Sequence, residues 1–233
     1  MTLNVNRIKT ANWDDWLIPV DYLVIHYTAV DLQDTLDIFM NPESCVSSHL
    51  VIDTDGAIYE LVDCLSGQAC RGWHAGVSHW EGVQGLNDCS IGIELVNYNG
   101  NVFPFTDAQY QSLHQVVARF KEHYPNLRDP QRVIGHEHIS GFRGKADPGV
   151  LFDWPRFYRE NYPELTAPLR QAVCPAVLQE SLMLLKESEP ESPEAKSQFW
   201  RSVSLLTETT VRLIQEASEP SAGKEPSADK ESK

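Results

Sequence analysis

The stretch Ser90–Val96, SIGIELV, limits the fold of this chain more than any other. Strand side chains alternate between faces, so Ile91, Ile93 and Leu95 share one face while Ser90, Gly92 and Glu94 share the other. The first face is a continuous apolar wall that needs cover. The second is almost bare until it reaches a carboxylate. A charge in the middle of an apolar strand is costly unless it is paired or placed in a site. The bare face therefore reads as a cleft floor with Glu94 as its working group; the competing reading is the exposed face of an edge strand.

The segments around it are short strands and amphipathic helices. YLVIH (Tyr22–His26) reads as a strand ending in a histidine, and DLQDTLDIFM puts Leu32, Leu36, Phe39 and Met40 on one helical face. HLVIDTDGAIYEL reads as a hairpin turning at Asp55-Gly56. In FTDAQYQSLHQVVARFKEHY, Thr106 and Gln109 form a capping box ahead of a stripe of Tyr110, Leu113, Val117, Phe120 and Tyr124. RVIG is a short strand, and Asp153 caps a short last helix. Strands interleaved with helices predict an α/β fold, a sheet with helices packed on it.

The pattern changes near residue 170. Beyond it, PAVLQESLMLLKE and SPEAKSQFWRSVSLLTETTVRLIQEA read as helices, with Phe199, Val203, Leu206, Thr210 and Leu213 in a stripe. The expected organisation is a domain over 15–170, a C-terminal helical extension over 171–218 and a disordered tail over 219–233. The extension's stripe suits packing on a neighbouring helix or on the domain, and it is a candidate surface for self-association or partner docking.

Composition removes several function classes. The 233 residues hold 19 basic and 33 acidic side chains, a net charge of −14, which leaves no broad footprint for nucleic acid and repels anionic lipid. The N-terminus has no basic stretch followed by an apolar core, and no apolar run is long enough to span a bilayer. The expectation is a cytoplasmic protein without an integral membrane segment; delivery to the periplasm or cell wall by a non-Sec route is the alternative. Five cysteines without a CxxC pair read as mostly buried thiols, with Cys64 and Cys70 able to pair in an oxidising space.

Chemistry concentrates in VIGHEHISGFRGKADPG (Val133–Gly149). Of eight histidines, His114 and His123 fall in the long helix and read as surface residues, while His26 and His136 each follow a β-branched run where a strand gives way to a loop. Such strand ends converge on one rim of an α/β sheet, where ligand sites form. His26, His136 and Asp147 supply two imidazoles and one carboxylate, a donor set that leaves a tetrahedral zinc one open position. Glu94 is then the candidate base for a zinc-acidified water, and Lys145 the candidate partner of a developing oxyanion.

YLVIHYTAV, VSSHLVIDTDGAIYELV, RGWHAGVSHWEGVQGLNDCSIGIELVN, FTDAQYQSLHQVV and VIGHEHISGFRGKADPGVLFDW together resemble the zinc-dependent N-acetylmuramoyl-L-alanine amidases. That family includes the AmpD-like and AmiD-like enzymes and shares a fold with the peptidoglycan recognition proteins. The resemblance covers about Tyr22 to Trp154, with HAGVS, ND.SIGIEL and KADPG in family order. It implies a central mixed β-sheet flanked by helices, with a groove for the glycan–peptide junction. It implies one zinc held by His26, His136 and Asp147, with Glu94 catalytic and Lys145 assisting. The implied reaction is hydrolysis of the amide between the lactyl group of N-acetylmuramic acid and L-alanine, in peptidoglycan or muropeptides. The alternative is a non-catalytic peptidoglycan-binding module of the same fold. Tyr27, Arg71, Trp73 and His74 are the expected substrate-binding residues. Three departures stand out: His138 stands where relatives commonly have an acidic or amide residue, the loop between the ligands reads ISGFRGKADPG with one apparent extra residue, and Ser48 stands where some distant relatives place a catalytic tyrosine.

Overall fold

A computed structural model describes residues 3–98, 103–143 and 145–166, together with isolated positions between 169 and 210. The elements begin with β1 (Val5–Arg7), β2 (Trp13–Ile18), β3 (Tyr22–Ala29), α1 (Leu32–Met40), β4 (Leu50–Ile52) and β5 (Ile58–Glu60). There follow β6 (Ala69–Gly72), β7 (His79–Trp80), β8 (Val83–Gln84) and β9 (Ser90–Tyr98). The last are α2 (Asp107–His123), β10 (Val133–Gly135), α3 (His136–Ser140) and α4 (Trp154–Asn161).

Six strands make the main sheet in the order β1-β5-β4-β9-β3-β10. Only β4 and β5 pair antiparallel; the other neighbours are parallel, so the sheet is mixed and α/β in class, as expected. Two short antiparallel pairs, β2 with β6 and β7 with β8, lie outside it. The alternation read from Ser90–Val96 decides the layers. Leu23, Ile25, Ile91, Ile93 and Leu95 join Leu113, Val117 and Phe120 of α2 and Trp154 and Phe157 of α4 in the main core. On the opposite face, Tyr22, Val24 and Ile134 pack with Ala75, Leu86 and Ile139. Further along that face Val51 and Val96 meet Phe39 of α1. Between these two apolar patches the sheet carries His26 and Glu94.

Local chemistry explains the helices. Thr106 Oγ1 accepts from Gln109 N at 3.1 Å and Gln109 Oε1 accepts from Thr106 N at 3.0 Å, so the capping box of α2 is complete. Thr106 Oγ1 also donates to Thr54 O at 2.7 Å, which ties the helix start to the β4–β5 hairpin. At the tip of that hairpin Gly56 has φ +88°, and a Cβ there would meet Ala108 O at 2.9 Å. Glycine is needed on both counts. Asp31 caps α1 and Asp153 caps α4.

Several details differ from the expectations. β3 continues to Ala29, so His26 lies inside a strand and not at its end. The β9 pairing carries it on, because the register runs through Tyr27↔Leu95 to Ala29↔Tyr98. The chain after Gly135 is not a loop at once: His136 is the first residue of α3, and a 3-10 turn, Gly141–Arg143, follows. Strands β1 and β2 were not legible from patterning; β1 adds parallel to β5 at the sheet edge. Cys64 and Cys70 are separate buried thiols. No described helix is long and apolar enough to cross a membrane. The expected extension over 171–218 lies outside the described residues except for scattered helical positions between 184 and 210, and the expected tail over 219–233 lies wholly outside them.

Replacing Thr106 by alanine removes one helix cap and one hairpin tie. We expect a loss of about 1 kcal/mol and a Tm lower by about 2–4 °C, read by urea and thermal unfolding. An unchanged midpoint would show that the box contributes nothing to the folded state.

Candidate metal centre

Three adjacent strands deliver the site. His26 on β3 is paired in register with Glu94 on β9, and β10, parallel to β3 on its other side, leads directly into His136. Asp147 returns to the same point through α3 and the turn after it, where Glu137 N donates to Asp147 O at 2.8 Å. His26 Nδ1 and His136 Nδ1 lie 2.9 and 3.0 Å from the same atom, Asp147 Oδ2. All four side chains are buried, with His26 only 1% and Glu94 only 8% exposed. Water therefore does little to screen them, and their charges must be balanced locally.

The donor set fits a metal ion. His26, His136 and Asp147 form a group whose ligand atoms lie within 4.8 Å of one another, the one such group among the described residues. Ligands at zinc distances stand roughly 3.3 Å apart along a tetrahedral edge, close to the spacing here. Proton placement points the same way. His136 Nε2 faces Ala75 O at 3.4 Å, a carbonyl able to take the ring proton and leave the Nδ1 lone pair for an ion.

Burial governs the acid–base character. Burial, with His136 beside it, pushes His26 down to about 4 in spite of Asp147. Burial likewise brings His49 to about 4 and, with His26 and His49 nearby, holds His74 well below its usual value. Glu94 moves the other way: burial and the charge of Asp147 push it well above the usual range, and Lys145 offsets this in part. Its Oε2 is buried without a hydrogen-bond partner. A buried carboxylate oxygen with a raised proton affinity and nothing to bond is suited to taking a proton from a bound molecule.

The other expected site residues separate into three places. Lys145 is exposed and within electrostatic reach of His26 and Glu94. Arg71 and Trp73 line an open cleft of about 510 Å³ together with Asp14, Trp16, Asn87 and Asp88. There Asp14 Oδ2 accepts from Arg71 Nη1 at 2.6 Å and from Trp73 Nε1 at 2.7 Å, and Asp88 accepts from Arg71 Nε at 2.5 Å. Tyr27 belongs with neither group. It follows His26 by one residue, so its side chain turns to the opposite face of the sheet and packs on the main core. His74 is buried behind His26, with Nδ1 3.0 Å from His26 Nε2. His138 accepts from Gly135 N at 2.8 Å and stays outside the ligand group. Sequence reasoning passed over Asp14 and Asn87. Asn87 Oδ1 accepts from His74 N at 3.0 Å and Ala75 N at 2.7 Å, a role visible in sequence only as an amide thirteen residues downstream.

Comparison with known proteins gives a consistent set of relatives. A family model described as N-acetylmuramoyl-L-alanine amidase matches residues 17–150. The 1,6-anhydro-N-acetylmuramyl-L-alanine amidase AmpD of Haemophilus influenzae is 36% identical over 171 residues, covering 65% of this chain and 89% of that protein. The AmpD of Salmonella typhimurium is 44% identical over 112 residues, and there the match spans 48% of this chain and about half, 55%, of the relative. Among solved structures, a selenomethionine AmpD derivative superposes with a TM-score of 0.57 at 30% identity, covering 69% of this chain and 99% of that one. Escherichia coli AmiD, in complex with anhydro-N-acetylmuramic acid-L-Ala-D-γ-Glu-L-Lys, superposes with a TM-score of 0.53 at 33% identity, covering 63% and 60%.

The buried histidines dictate how the metal-free protein responds to acid. In the unfolded chain they take up protons near 6.5, while His26 and His49 in the fold do so only near 4 and His74 also well below 6.5. The unfolded state therefore binds more protons in that window, and stability falls as pH drops from 6.5 towards 4. Glu94 opposes this, because in the fold it keeps its proton above 4.5 while the unfolded chain loses it, so its contribution declines as pH rises. The urea midpoint of metal-stripped protein should fall on acidification across the window, and more steeply in Glu94→Gln. A flat profile, or the same slope in both proteins, would contradict this account.

Proposed function

This chain belongs to the N-acetylmuramoyl-L-alanine amidase family, and from that premise we propose that it hydrolyses the amide between the lactyl group of N-acetylmuramic acid and L-alanine in muropeptides. The observation that carries the reading is the convergence of His26 Nδ1, His136 Nδ1 and Asp147 Oδ2 beside the unpartnered Oε2 of Glu94. We assign the catalytic unit to residues 15–170, a reading supported by the family match over 17–150 and by the shared core of α2 and α4.

His26, His136 and Asp147 would hold one zinc ion. A zinc ion there supplies Lewis-acid polarisation of the scissile carbonyl and acidifies a water molecule. The remaining work falls to the chain's own side chains. Glu94 accepts the proton of the attacking water at Oε2 and later delivers it to the departing amine nitrogen of L-alanine. Its raised proton affinity matches both halves of that transfer, since an ordinary carboxylate would be too weak a base near neutrality. Lys145 presents its ammonium group to the oxyanion that develops as the carbonyl becomes tetrahedral. Arg71 and Trp73 are held by Asp14 in the cleft they line, where an aromatic surface and a guanidinium can meet sugar and stem peptide. The names of the relatives specify the anhydro sugar, so soluble anhydro-muropeptide is the first substrate to test and intact sacculi the comparison.

Purified protein loaded with zinc and incubated with anhydro-muropeptide should release a peptide beginning with L-alanine, detected by mass spectrometry. Glu94→Gln should lower kcat by roughly 10²–10⁴-fold with zinc content retained, whereas His136→Ala should lose the zinc itself. The reading fails if zinc-loaded wild type leaves the muropeptide intact while His136→Ala still holds its metal.

A further inference from the structure

His74 is buried, and the hydrolysis described above gives its side chain nothing to do. Both of its ring nitrogens are engaged. Nδ1 is 3.0 Å from His26 Nε2, and Nε2 is 3.3 Å from both the carbonyl and the hydroxyl oxygen of Ser90. A carbonyl only accepts, and the Ser90 hydroxyl already donates its hydrogen to Leu86 O at 2.6 Å. Both Ser90 oxygens therefore accept from His74 Nε2–H. With the proton on that side, the neutral ring has a lone pair at Nδ1, and His26 Nε2–H must donate to it. His26 then carries no proton on Nδ1, the atom 2.9 Å from Asp147 Oδ2.

We propose that His74 is a positioning residue for the metal centre: by accepting the Nε2 proton of His26, it locks His26 in the tautomer whose Nδ1 can bind the ion. This inference rests on the reading of His26, His136 and Asp147 as metal ligands.

The surroundings are built for the arrangement. His74 N and Ala75 N both donate to Asn87 Oδ1, which fixes the segment's backbone, and Ala75 O faces His136 Nε2 at 3.4 Å. Two successive residues thus address the outer nitrogens of both imidazole ligands, one through a side chain and the other through a carbonyl. Ligand imidazoles are commonly oriented through their second nitrogen in this way. Gly92 makes the room, because a Cβ there would lie 2.5 Å from His74 Cγ. The bare face of β9 therefore seats a second imidazole layer as well as leading to Glu94. His49, packed edge-on against His74 with ring centroids 5.4 Å apart, does not compete for its nitrogens. Its own Nδ1 accepts from Gly92 N at 3.0 Å and its Nε2 donates to Cys70 O at 2.8 Å.

The test compares zinc affinity, by competition with a chromogenic chelator, in wild type, His74→Phe and His74→Asn. Phenylalanine keeps the ring and removes the acceptor; asparagine restores an acceptor oxygen on the branch that bears Nδ1. We expect zinc binding weakened about 10–100-fold in His74→Phe and largely recovered in His74→Asn. A role in packing alone would not give that rescue. Equal weakening in both variants, or wild-type affinity in His74→Phe, would overturn the proposal. Nitrogen-15 NMR of the unmodified metal-free protein supplies a readout that does not depend on a variant folding. It should place protons on Nε2 of both His26 and His74, and a proton on His74 Nδ1 would overturn the proposal. Wild type that binds no zinc would instead remove the metal reading itself, whereas zinc-binding wild type with an unaffected His74→Phe removes only the role of His74.

Discussion

His26 and Glu94 stand side by side on the central parallel pair of strands, and the register that puts them there is enforced from the opposite face of the sheet. Leu23, Ile25, Ile91, Ile93 and Leu95 are buried against α2 and α4, each at a gain of roughly 1.5–3 kcal/mol over exposure. Sliding either strand by one residue would turn that strand's apolar set outward and drive His26 or Glu94 into the main core. The apolar wall thus selects the register, and the register places the polar pair. The site is in this sense a by-product of the core.

A polar group on that face still has to be tolerated. Four imidazoles and two carboxylates in a buried layer would be costly if their nitrogens and oxygens lacked partners. The chain answers with carbonyls and hydroxyls at the periphery: Ser90 behind His74, Ala75 behind His136 and Cys70 behind His49. Each can take a ring proton on the outside. Toward the centre His26 Nδ1, His136 Nδ1 and Asp147 Oδ2 face one another, a cluster consistent with a metal site. Glu94 occupies the same layer without a bonding partner for Oε2, which keeps it available for chemistry.

The cleft lined by Arg71 and Trp73 follows a different logic. Arg71 and Trp73 come from the β6 end of the chain's second, small sheet, and Asp14 from β2 in the same sheet bonds both. The two-stranded unit that ends at Arg71 and Trp73 is separate from the six-stranded sheet that carries His26 and Glu94. Loops and small appended units tolerate change where a packed sheet does not.

The sequence by itself determined the α/β class, the two faces of Ser90–Val96, the capping box at Thr106 and, through the resemblance, the residues that meet at the centre. These are short-range facts: alternation, helical spacing and cap chemistry act within a few residues and can be read along the chain. It set Tyr27 and His74 on the groove and ended the strand at His26, whereas the structure packs Tyr27 on the main core, carries β3 to Ala29 and buries His74 behind His26. Those depended on pairing across β3, β9 and β10, on the packing of distant segments and on the space left by Gly92. Only the tertiary structure shows that His74 is buried behind His26. The physical reason is that a hydrogen bond between residues 48 positions apart is set by the packing of whole elements, and no local pattern encodes it.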